Sequence, residues 1–424
     1  MNRLLLLSFL LVFSSVNAQV QHDSIPEDDP LILQRIDEWQ DLKIGLIIHW
    51  GIYSQWGVVE SWSICNEDWI VRDSHDAFGR PIANADANYE EYKRAYQGLY
   101  KTFNPQSFEA IQWADLAVKA GMRYLVFTTK HHDGFAMFDT RFSDYSVMGS
   151  LCPLQRDVTH EVVDAFRSRG LWIGLYFSKP DWHHPDYWAP EWATPDRNVN
   201  YDIPSHPERW QRFCDFTYNQ IYELTHHYGT VDILWLDGGW VRPQWSVNDA
   251  CRDWLGCYGR IQDVNISRIA AMARETNPRM IIVDRSVGGR YENYQTPEQQ
   301  VPDTLLPYPW ETCMTLGESW SYSPHDSFKS TRQLIHTLCN IVAFGGNLLL
   351  GIGPDADGKI PDTAVQRLTE LGEWLQHSGY AIYGTRPLYP YAAGKIRYTQ
   401  SKDGKHRYSI RLTDDYPYAV VTEL

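Results

Sequence analysis

Asp237 is the residue of this sequence best suited to covalent chemistry. It ends an apolar run at residues 233–236 and is followed by Gly238 and Gly239, which let a ligand approach the backbone closely. Burying a carboxylate at the end of a strand costs free energy unless the group is paired or has a chemical use. Asp237 is therefore a candidate nucleophile, with a helix N-cap or an ion-pair partner as the alternative.

A second carboxyl group is needed if the chemistry is cleavage of a glycosidic bond with retention of configuration. In that reaction the second group lies about 5–5.5 Å from the first, protonates the leaving oxygen and then activates water. The candidates are Glu292, Glu298 and Glu311. Residue type alone does not choose among them, because a glutamate in a loop is usually exposed to solvent.

Three histidines allow two further interpretations. His49, His131 and His132 could bind a metal ion for hydrolysis, but neighbours on a strand point to opposite faces, so the adjacent pair reaches one ion only beyond the strand end. Alternatively, the histidines and Tyr176 form hydrogen bonds with sugar hydroxyls, and Trp320 provides a flat wall for a sugar ring. The sequence favours the second interpretation and predicts no metal.

Short apolar runs must position these residues, and such runs are typical of strands buried on both faces. They lie at residues 43–49, 123–130, 171–178, 231–237, 280–285, 310–316 and 347–353. Segments with helical spacing lie at residues 108–120, 158–169, 207–227, 264–276, 330–344 and 363–378. The alternation predicts a parallel sheet with right-handed crossovers, and one more strand, before residue 310 or near Tyr380, would close it as a (β/α)8 TIM-like barrel.

The ends of these runs favour the barrel over a doubly wound open sheet. Active sites of such barrels are assembled from the carboxyl ends of different strands. Five successive runs end in polar residues, at His49, residues 130–134, residues 176–178, Asp237 and Arg285. The sequence therefore predicts one site where these ends meet.

The two ends of the chain carry separate signals. Residues 1–18 combine a basic start, an apolar stretch and a small-residue cleavage pattern, which predicts a signal peptide and export to the periplasm or extracellular medium. No later segment has the roughly 18 unbroken apolar residues of a membrane span, so no membrane insertion is expected. The catalytic barrel is expected at residues 19–385, and residues 386–424, which alternate apolar and polar side chains around a turn, predict a short antiparallel β appendage.

The composition is acidic and aromatic. The chain has 38 basic and 53 acidic side chains, a formal net charge of −15, which argues against nucleic acid as a partner because phosphate binding needs clustered Lys and Arg. It also has 18 Trp and 26 Tyr, whose flat faces suit the apolar faces of sugar rings. Oligomeric state has no signal in the sequence.

Several segments resemble those of one enzyme family in order and spacing. They are residues 45–54, 129–135, 174–178, 232–239 and 345–350 with 352–355. The most specific is Lys-His-His-Asp-Gly-Phe at residues 130–135. Together these segments are similar to glycoside hydrolase family 29, the α-L-fucosidases, over about residues 39–383.

The resemblance implies an exo-acting, retaining hydrolase of terminal α-L-fucose on oligosaccharides or glycoconjugates, without a metal or organic cofactor. It implies Asp237 as the nucleophile that forms a covalent fucosyl-enzyme, and Glu298 as the acid/base, with Glu292 in reserve. The residues it implies for the sugar pocket are His49, Glu60, His131, His132, Tyr176, Trp235, Arg285 and Trp320. The alternatives are a non-catalytic fucose- or glycan-binding protein and an α-L-galactosidase-like variant.

Overall fold

The computed structural model describes residues 26–70, 72–82, 89–248, 251 and 261–424, and the predicted signal peptide lies outside them. The helices are α1 (Pro30–Leu42), α2 (Tyr89–Gln97), α3 (Ala110–Lys119), α4 (Val158–Ser168), α5 (Pro207–His227), α6 (Ile266–Ala273), α7 (Thr331–Ala343) and α8 (Asp362–Ser378). The strands are β1 (Ile44–Ile48), β2 (Tyr124–Lys130), β3 (Trp172–Ser178), β4 (Ile233–Asp237), β5 (Ile281–Asp284), β6 (Glu311–Thr315), β7 (Asn347–Ile352), β8 (Thr385–Ala393), β9 (Ile396–Ser401), β10 (Arg407–Leu412) and β11 (Ala419–Glu423).

The main sheet is parallel and curled. Within the described ranges it has seven strands in the order β5-β4-β3-β2-β1-β7-β6, with helices on its outer side. Every residue of β1, β2, β5, β6 and β7 is buried. Burial on both faces explains why β1, β5 and β7 are almost uniformly apolar, whereas β6 and the end of β2 carry buried polar side chains. The structure confirms the predicted barrel-type α/β fold with an antiparallel β appendage.

An irregular segment fills the gap between β5 and β6, one of the two places where an eighth strand was expected. It forms three isolated bridges: Glu292 with Val283 of β5, Gln295 with Trp310 just before β6, and Glu298 with Cys313 of β6. Pro297 lies inside the segment and has no N–H to donate, which interrupts a regular ladder. The parallel bridge at Glu298 places this glutamate beside the middle of β6.

Helix α1 closes the amino-terminal end of the barrel. Its residues Ile32, Ile36 and Trp39 are buried in the same apolar cluster as the inward-facing side chains of the strands. The Trp39 ring stacks on Tyr294 with centroids 4.0 Å apart, and the Trp39 carbonyl accepts a hydrogen bond from Asn347, the first residue of β7, at 2.8 Å. The barrel interior is thus filled at the end opposite the carboxyl ends of the strands.

The four C-terminal strands form a separate antiparallel sheet in the order β11-β10-β9-β8. The predicted hairpin around residues 402–404 is the β9–β10 pair, and β8 and β11 extend it on both sides. Trp374 of α8 donates to the carbonyl of Ala419 at 3.0 Å, and Arg386 of β8 forms ion pairs with Asp37 and Asp41 of α1. Among the described helices, none has the length and apolar character needed to cross a membrane.

Candidate active site

Asp237 lies at the carboxyl end of β4, where its carboxylate faces three nitrogen or hydroxyl groups. Oδ2 accepts a hydrogen bond from the Tyr176 hydroxyl at 2.8 Å, and Oδ1 accepts one from Nη1 of Arg285 at 3.1 Å. His132 Nε2 is 3.7 Å from Oδ2. These groups come from the neighbouring strands β3 and β5 and from the end of β2, because parallel strands end at the same side of the sheet.

Asp237 is held in its ionised form. Burial raises the pKa of this carboxyl. The Arg285 charge, the His132 ring and the Tyr176 hydrogen bond lower it by more than burial raises it, so the pKa lies well below its usual range. The next residue, Gly238, has a φ of +86°, and a Cβ there would collide with Pro180. The backbone after the carboxylate therefore requires glycine, and the carboxylate is in the form that can attack carbon.

Arg285 connects Asp237 to a second carboxylate. Its Nη2 forms an ion pair with Oε2 of Glu298, and Trp320 Nε1 donates to Oε1 of Glu298 at 3.0 Å. The Glu298 side chain is 42% exposed, against 15% for Asp237. A single guanidinium thus contacts both carboxylates, with Glu298 on the side that is more open to solvent.

His131 and His132 are buried and oriented by serine hydroxyls. Nδ1 of His131 lies 2.6 Å from Oγ of Ser61, and Nδ1 of His132 lies 2.7 Å from Oγ of Ser178. Burial lowers the pKa of both rings, that of His132 to about 4, so both are neutral at pH 7. A neutral imidazole offers one donor and one acceptor, which suits the hydroxyl groups of a sugar.

One cavity of about 300 Å³ gathers the predicted residues. This volume is at the lower end of the range for small-molecule sites, about 300–1,000 Å³. The predicted residues that line it are His49, Glu60, His131, His132, Tyr176, Trp235, Asp237, Arg285, Glu298 and Trp320. The structure therefore places both preferred carboxylates and all eight residues expected to contact the sugar in one pocket.

Glu60 is a third carboxyl group of this pocket, and it is almost completely buried. Its Oε1 accepts a hydrogen bond from the backbone N–H of Ser321 at 2.8 Å. Burial, reinforced by the nearby charge of Glu298, raises the pKa of Glu60 to about 7 despite that hydrogen bond. Glu60 can thus carry a proton near neutral pH and act as either donor or acceptor towards a hydroxyl.

The other two candidate acids lie outside the cavity lining. The Glu292 carboxylate accepts backbone hydrogen bonds from Ser286 at 2.8 Å and Gly288 at 3.1 Å, and burial raises its pKa to about 8. Glu311 lies inside the barrel on β6, where Oε2 accepts a hydrogen bond from the Tyr124 hydroxyl at 2.5 Å. In the structure both carboxyl groups serve local packing and hydrogen bonding.

Because of Glu311, the free energy of unfolding is expected to decrease as pH rises. Burial raises its pKa from 4.5 to about 7, so between these values the folded protein binds more protons than the unfolded chain, and stability falls as pH rises through this window. Glu311→Gln keeps a neutral side chain of the same size at every pH. The free energy of unfolding of the variant, measured by thermal unfolding at each pH, should therefore increase relative to that of the wild type between pH 5 and pH 8, by on the order of 2–3 kcal/mol.

The control for this measurement is Glu373→Gln, because Glu373 is exposed on α8. Its pH profile of stability should run parallel to that of the wild type. A parallel profile for Glu311→Gln as well would show that Glu311 is ionised in the folded protein at pH 5.

Three further residues line the cavity but were not among the sugar contacts predicted from the sequence. Trp62 and Trp240 contribute aromatic walls, and Arg197 places its guanidinium 5.0 Å and 5.3 Å from their ring centroids. Glu67 accepts a hydrogen bond from Nε of Arg197 at 2.7 Å and so fixes its orientation. Trp240 follows directly after Asp237-Gly238-Gly239, a position that could have flagged it, whereas Arg197 comes from a long loop without any local signal.

His131, His132 and Asp237 are also the described residues closest to a metal-binding arrangement. One ligand atom from each lies within 4.8 Å of the others. Each group already has hydrogen-bonding partners, however, and the Arg285 guanidinium at 3.1 Å from Asp237 would repel a cation bound beside that carboxylate. The arrangement therefore fits hydrogen bonding to a ligand better than coordination of an ion.

The fucoside hydrolysis that the sequence resemblance implies is expected to be unchanged after dialysis against a chelator, because the two carboxylates and the histidines need no ion in this arrangement. Its rate before and after dialysis, and after addition of Zn²⁺ or Ca²⁺, measures this directly. A loss of activity restored by one cation would assign the histidine cluster to metal binding instead.

Comparisons with known proteins identify what the chain is similar to. A family model described as α-L-fucosidase matches residues 11–380. Plasma α-L-fucosidase of Rattus norvegicus is 30% identical over 426 residues, covering 96% of this chain and 84% of the relative. The structure of α-L-fucosidase isoenzyme 1 from Paenibacillus thiaminolyticus gives a TM-score of 0.72 at 30% identity and covers 91% of this chain and 85% of its own. The Thermotoga maritima α-fucosidase structure, in complex with fucose, gives a TM-score of 0.65 at 27% identity and covers 90% and 83%.

Proposed function

Because the chain belongs to the α-L-fucosidase family of glycoside hydrolases, we propose that it is an exo-acting, retaining enzyme that releases terminal α-L-fucose through a covalent intermediate on Asp237. The observation that carries this proposal is the Arg285 guanidinium in contact with both Asp237 and Glu298. Two carboxylates that share one planar group lie close together. Retaining glycosidases need such a close pair, about 5–5.5 Å apart, whereas inverting enzymes hold their carboxyl groups about 6.5–9.5 Å apart to leave room for a water molecule.

The first step uses the two carboxyl groups in different protonation states. Asp237 Oδ attacks the anomeric carbon of the fucoside, and the bond to the leaving oxygen breaks as Glu298 transfers a proton to that oxygen. The Glu298 side chain is the more exposed of the two, which leaves it accessible to the leaving group and later to water.

The second step returns the enzyme to its starting state. Glu298, now ionised, takes a proton from a water molecule, and the hydroxide oxygen attacks the anomeric carbon as the bond to Asp237 breaks. Arg285 remains beside Asp237 and stabilises the carboxylate as it leaves. Two inversions at the same carbon give retention overall.

Recognition of fucose follows from the walls of the cavity. Its methyl group needs an apolar surface, which the stacked rings of Tyr176 and Trp235, 5.3 Å apart, and the Trp320 ring provide. The ring hydroxyls need hydrogen-bonding partners, which the neutral histidines and Glu60 provide. The fucose bound in the Thermotoga maritima relative is consistent with this assignment. An apolar wall rejects an added hydroxyl only weakly, by about 10²-fold, so α-L-galactosides are the expected poor substrates.

The shape of the site supports an exo mode of action. The cavity of about 300 Å³ has room for about one sugar ring, and α1 fills the opposite end of the barrel. Among the described residues, this arrangement favours entry of the terminal residue of a glycan. Export, predicted from residues 1–18, would bring the enzyme to glycans outside the cytoplasm.

The anomeric form of the first product tests the proposal. Proton NMR during hydrolysis of 4-nitrophenyl α-L-fucoside should show α-L-fucose first, with the β form appearing later by mutarotation. Release of β-L-fucose first would contradict the covalent route on Asp237. Absence of turnover on aryl and natural fucosides alike would favour a non-catalytic fucose- or glycan-binding protein.

We expect Tyr176→Phe to lower kcat/KM on 4-nitrophenyl α-L-fucoside by about 10- to 100-fold, because a hydrogen bond to a charged group contributes roughly 1.5–3 kcal/mol. The Tyr176 hydroxyl donates to Asp237 at 2.8 Å and helps to hold the nucleophile in place. Steady-state kinetics measures the effect. Tyr145→Phe is the matched control, since the buried Tyr145 hydroxyl has no hydrogen-bond partner among the described residues, and its kcat/KM should stay at the wild-type value.

A further inference from the structure

A four-residue sequence, Tyr-Pro-Tyr-Ala, occurs twice in the C-terminal sheet, at residues 389–392 and 416–419. In each copy the first tyrosine is largely exposed, Tyr389 by 80% and Tyr416 by 75%. In each copy the second tyrosine, Tyr391 or Tyr418, has a φ of +67°, a region that bulky residues rarely adopt. The two rings of each copy meet nearly at right angles, with centroids 5.8 Å apart. The chain therefore builds the same local aromatic conformation twice, once at a register irregularity of β8 and once in the turn that leads into β11. We call residues 389–392 and 416–419 the two aromatic turns.

Strand register places the two turns at the same end of the C-terminal sheet. Ala392 of β8 pairs with Arg397 near the start of β9, and Ala419 of β11 pairs with Leu412 at the end of β10. The turns thus lie on the two edge strands, separated by three strand spacings of about 4.8 Å, or roughly 14 Å. An extended oligosaccharide can span this distance, whereas a single sugar ring cannot.

An exposed ion pair joins the two turns. Lys395 Nζ, next to the first turn, lies 2.8 Å from Oδ2 of Asp414, next to the second, and the two side chains are 67% and 68% exposed. An ion pair this exposed adds little stability. Its donors and acceptors are instead available to hydroxyl groups of a ligand that lies across both turns.

Helix α7 fixes the turns relative to each other. Nε2 of His336 donates to the carbonyl oxygens of Thr413 at 3.0 Å and Tyr418 at 2.8 Å. Phe344, directly after α7, packs against Tyr391 with ring centroids 6.3 Å apart. Because α7 and the residue after it contact both copies, the exposed tyrosines are held in fixed relative positions. Less conformational entropy is then lost when a ligand binds.

We propose that Tyr389 and Tyr416, with Lys395 and Asp414 between them, form a second, non-catalytic site for the oligosaccharide chain that carries the terminal fucose. This inference rests on the proposed function, since it takes the substrate of the active site as its ligand. Tyrosine faces pack against the C–H faces of sugar rings, and the charged pair forms hydrogen bonds with hydroxyls. The net charge of −15 favours a neutral ligand over an anionic one.

Binding is measured in the full-length protein with Asp237→Asn, so that the ligand is not consumed. The probes are an extended fucosylated oligosaccharide and free L-fucose, titrated calorimetrically. Tyr389→Ala with Tyr416→Ala should weaken binding of the oligosaccharide by about tenfold and leave fucose binding unchanged. Tyr389→Phe with Tyr416→Phe, which keeps the aromatic faces, should retain most of the affinity, and Tyr222→Ala, an exposed tyrosine on α5, should have no effect.

Unchanged affinity of the double alanine variant for the oligosaccharide would overturn the proposal, as would an equal loss for free fucose. A change of oligomeric state in sedimentation, with unchanged glycan affinity, would assign the tyrosines to contacts between copies of the chain and also overturn it. Hydrolysis of 4-nitrophenyl α-L-fucoside by the wild-type protein tests the proposed function separately. Failure of that assay does not affect the comparison of the two ligands, which needs no turnover.

Discussion

Asp237→Ala is expected to reduce kcat/KM on 4-nitrophenyl α-L-fucoside by about 10⁴-fold or more, the usual scale for loss of a nucleophile. The variant has no group that can form the covalent intermediate, while Arg285 and Glu298 remain in place. Azide fits the space left by the carboxylate and should restore part of the rate. Because azide then attacks the substrate in a single inversion, the product should be β-L-fucosyl azide.

The control for this experiment is Asp232→Asn, five residues earlier in the chain. Asp232 is also paired with an arginine, Arg35 at 2.5 Å, but it lies at the amino-terminal end of β4. This variant is expected to lose stability and to keep its activity. If Asp237→Ala retained more than about a hundredth of the wild-type rate without azide, Asp237 would not be the nucleophile.

Glu298→Ala is expected to reduce kcat by about 10²–10⁴-fold, the range for loss of a general acid/base. The loss should be larger for natural oligosaccharides than for 4-nitrophenyl fucoside, because nitrophenolate leaves without protonation. The covalent intermediate should therefore accumulate with the aryl substrate. Azide attack on that intermediate gives α-L-fucosyl azide, the opposite anomer to that expected from Asp237→Ala, and product NMR distinguishes the two.

Glu292→Gln and Glu311→Gln are the matched controls for the acid/base. Neither carboxyl group lines the cavity, and both should leave the kcat ratio between natural and aryl substrates at its wild-type value. Azide rescue with the α product in a Glu292 variant, and not in Glu298→Ala, would transfer the role to Glu292 and require a rearranged segment between β5 and β6.

Much of the fold could be predicted because parallel strands buried on both faces leave continuous apolar runs. All seven main strands lie within the predicted runs, and helix α5 begins and ends at the predicted residues. The closure between β5 and β6 could not be predicted in detail, since residues 292–299 are polar, contain a proline and form only isolated bridges. Strand β8 lies in the predicted β appendage, but its own bounds could not be predicted, because half-buried and exposed residues do not alternate regularly along it.

Site residues at the ends of strands could be predicted from the sequence, whereas site residues in loops could not. Asp237 ends β4, Tyr176 lies near the end of β3 and His132 follows the end of β2, so their meeting follows from the topology. Residue type alone does not separate Glu292 from Glu298, and only the family resemblance favoured Glu298. The structure shows Glu292 turned towards backbone N–H groups and Glu298 towards Arg285. Arg197 and Trp62 reach the cavity through loops whose path depends on packing far along the chain.

The closure of one end of the barrel by α1 has a consequence for the kinetics of the proposed reaction. Fucose and the leaving group must pass through the same entrance, and the outer of the two departs first. Free fucose is then the last product to leave and rebinds to the empty enzyme. We expect it to inhibit competitively with respect to substrate, so that in a closed vessel progress curves slow well before the glycan is exhausted, and continuous removal of the monosaccharide sustains the rate.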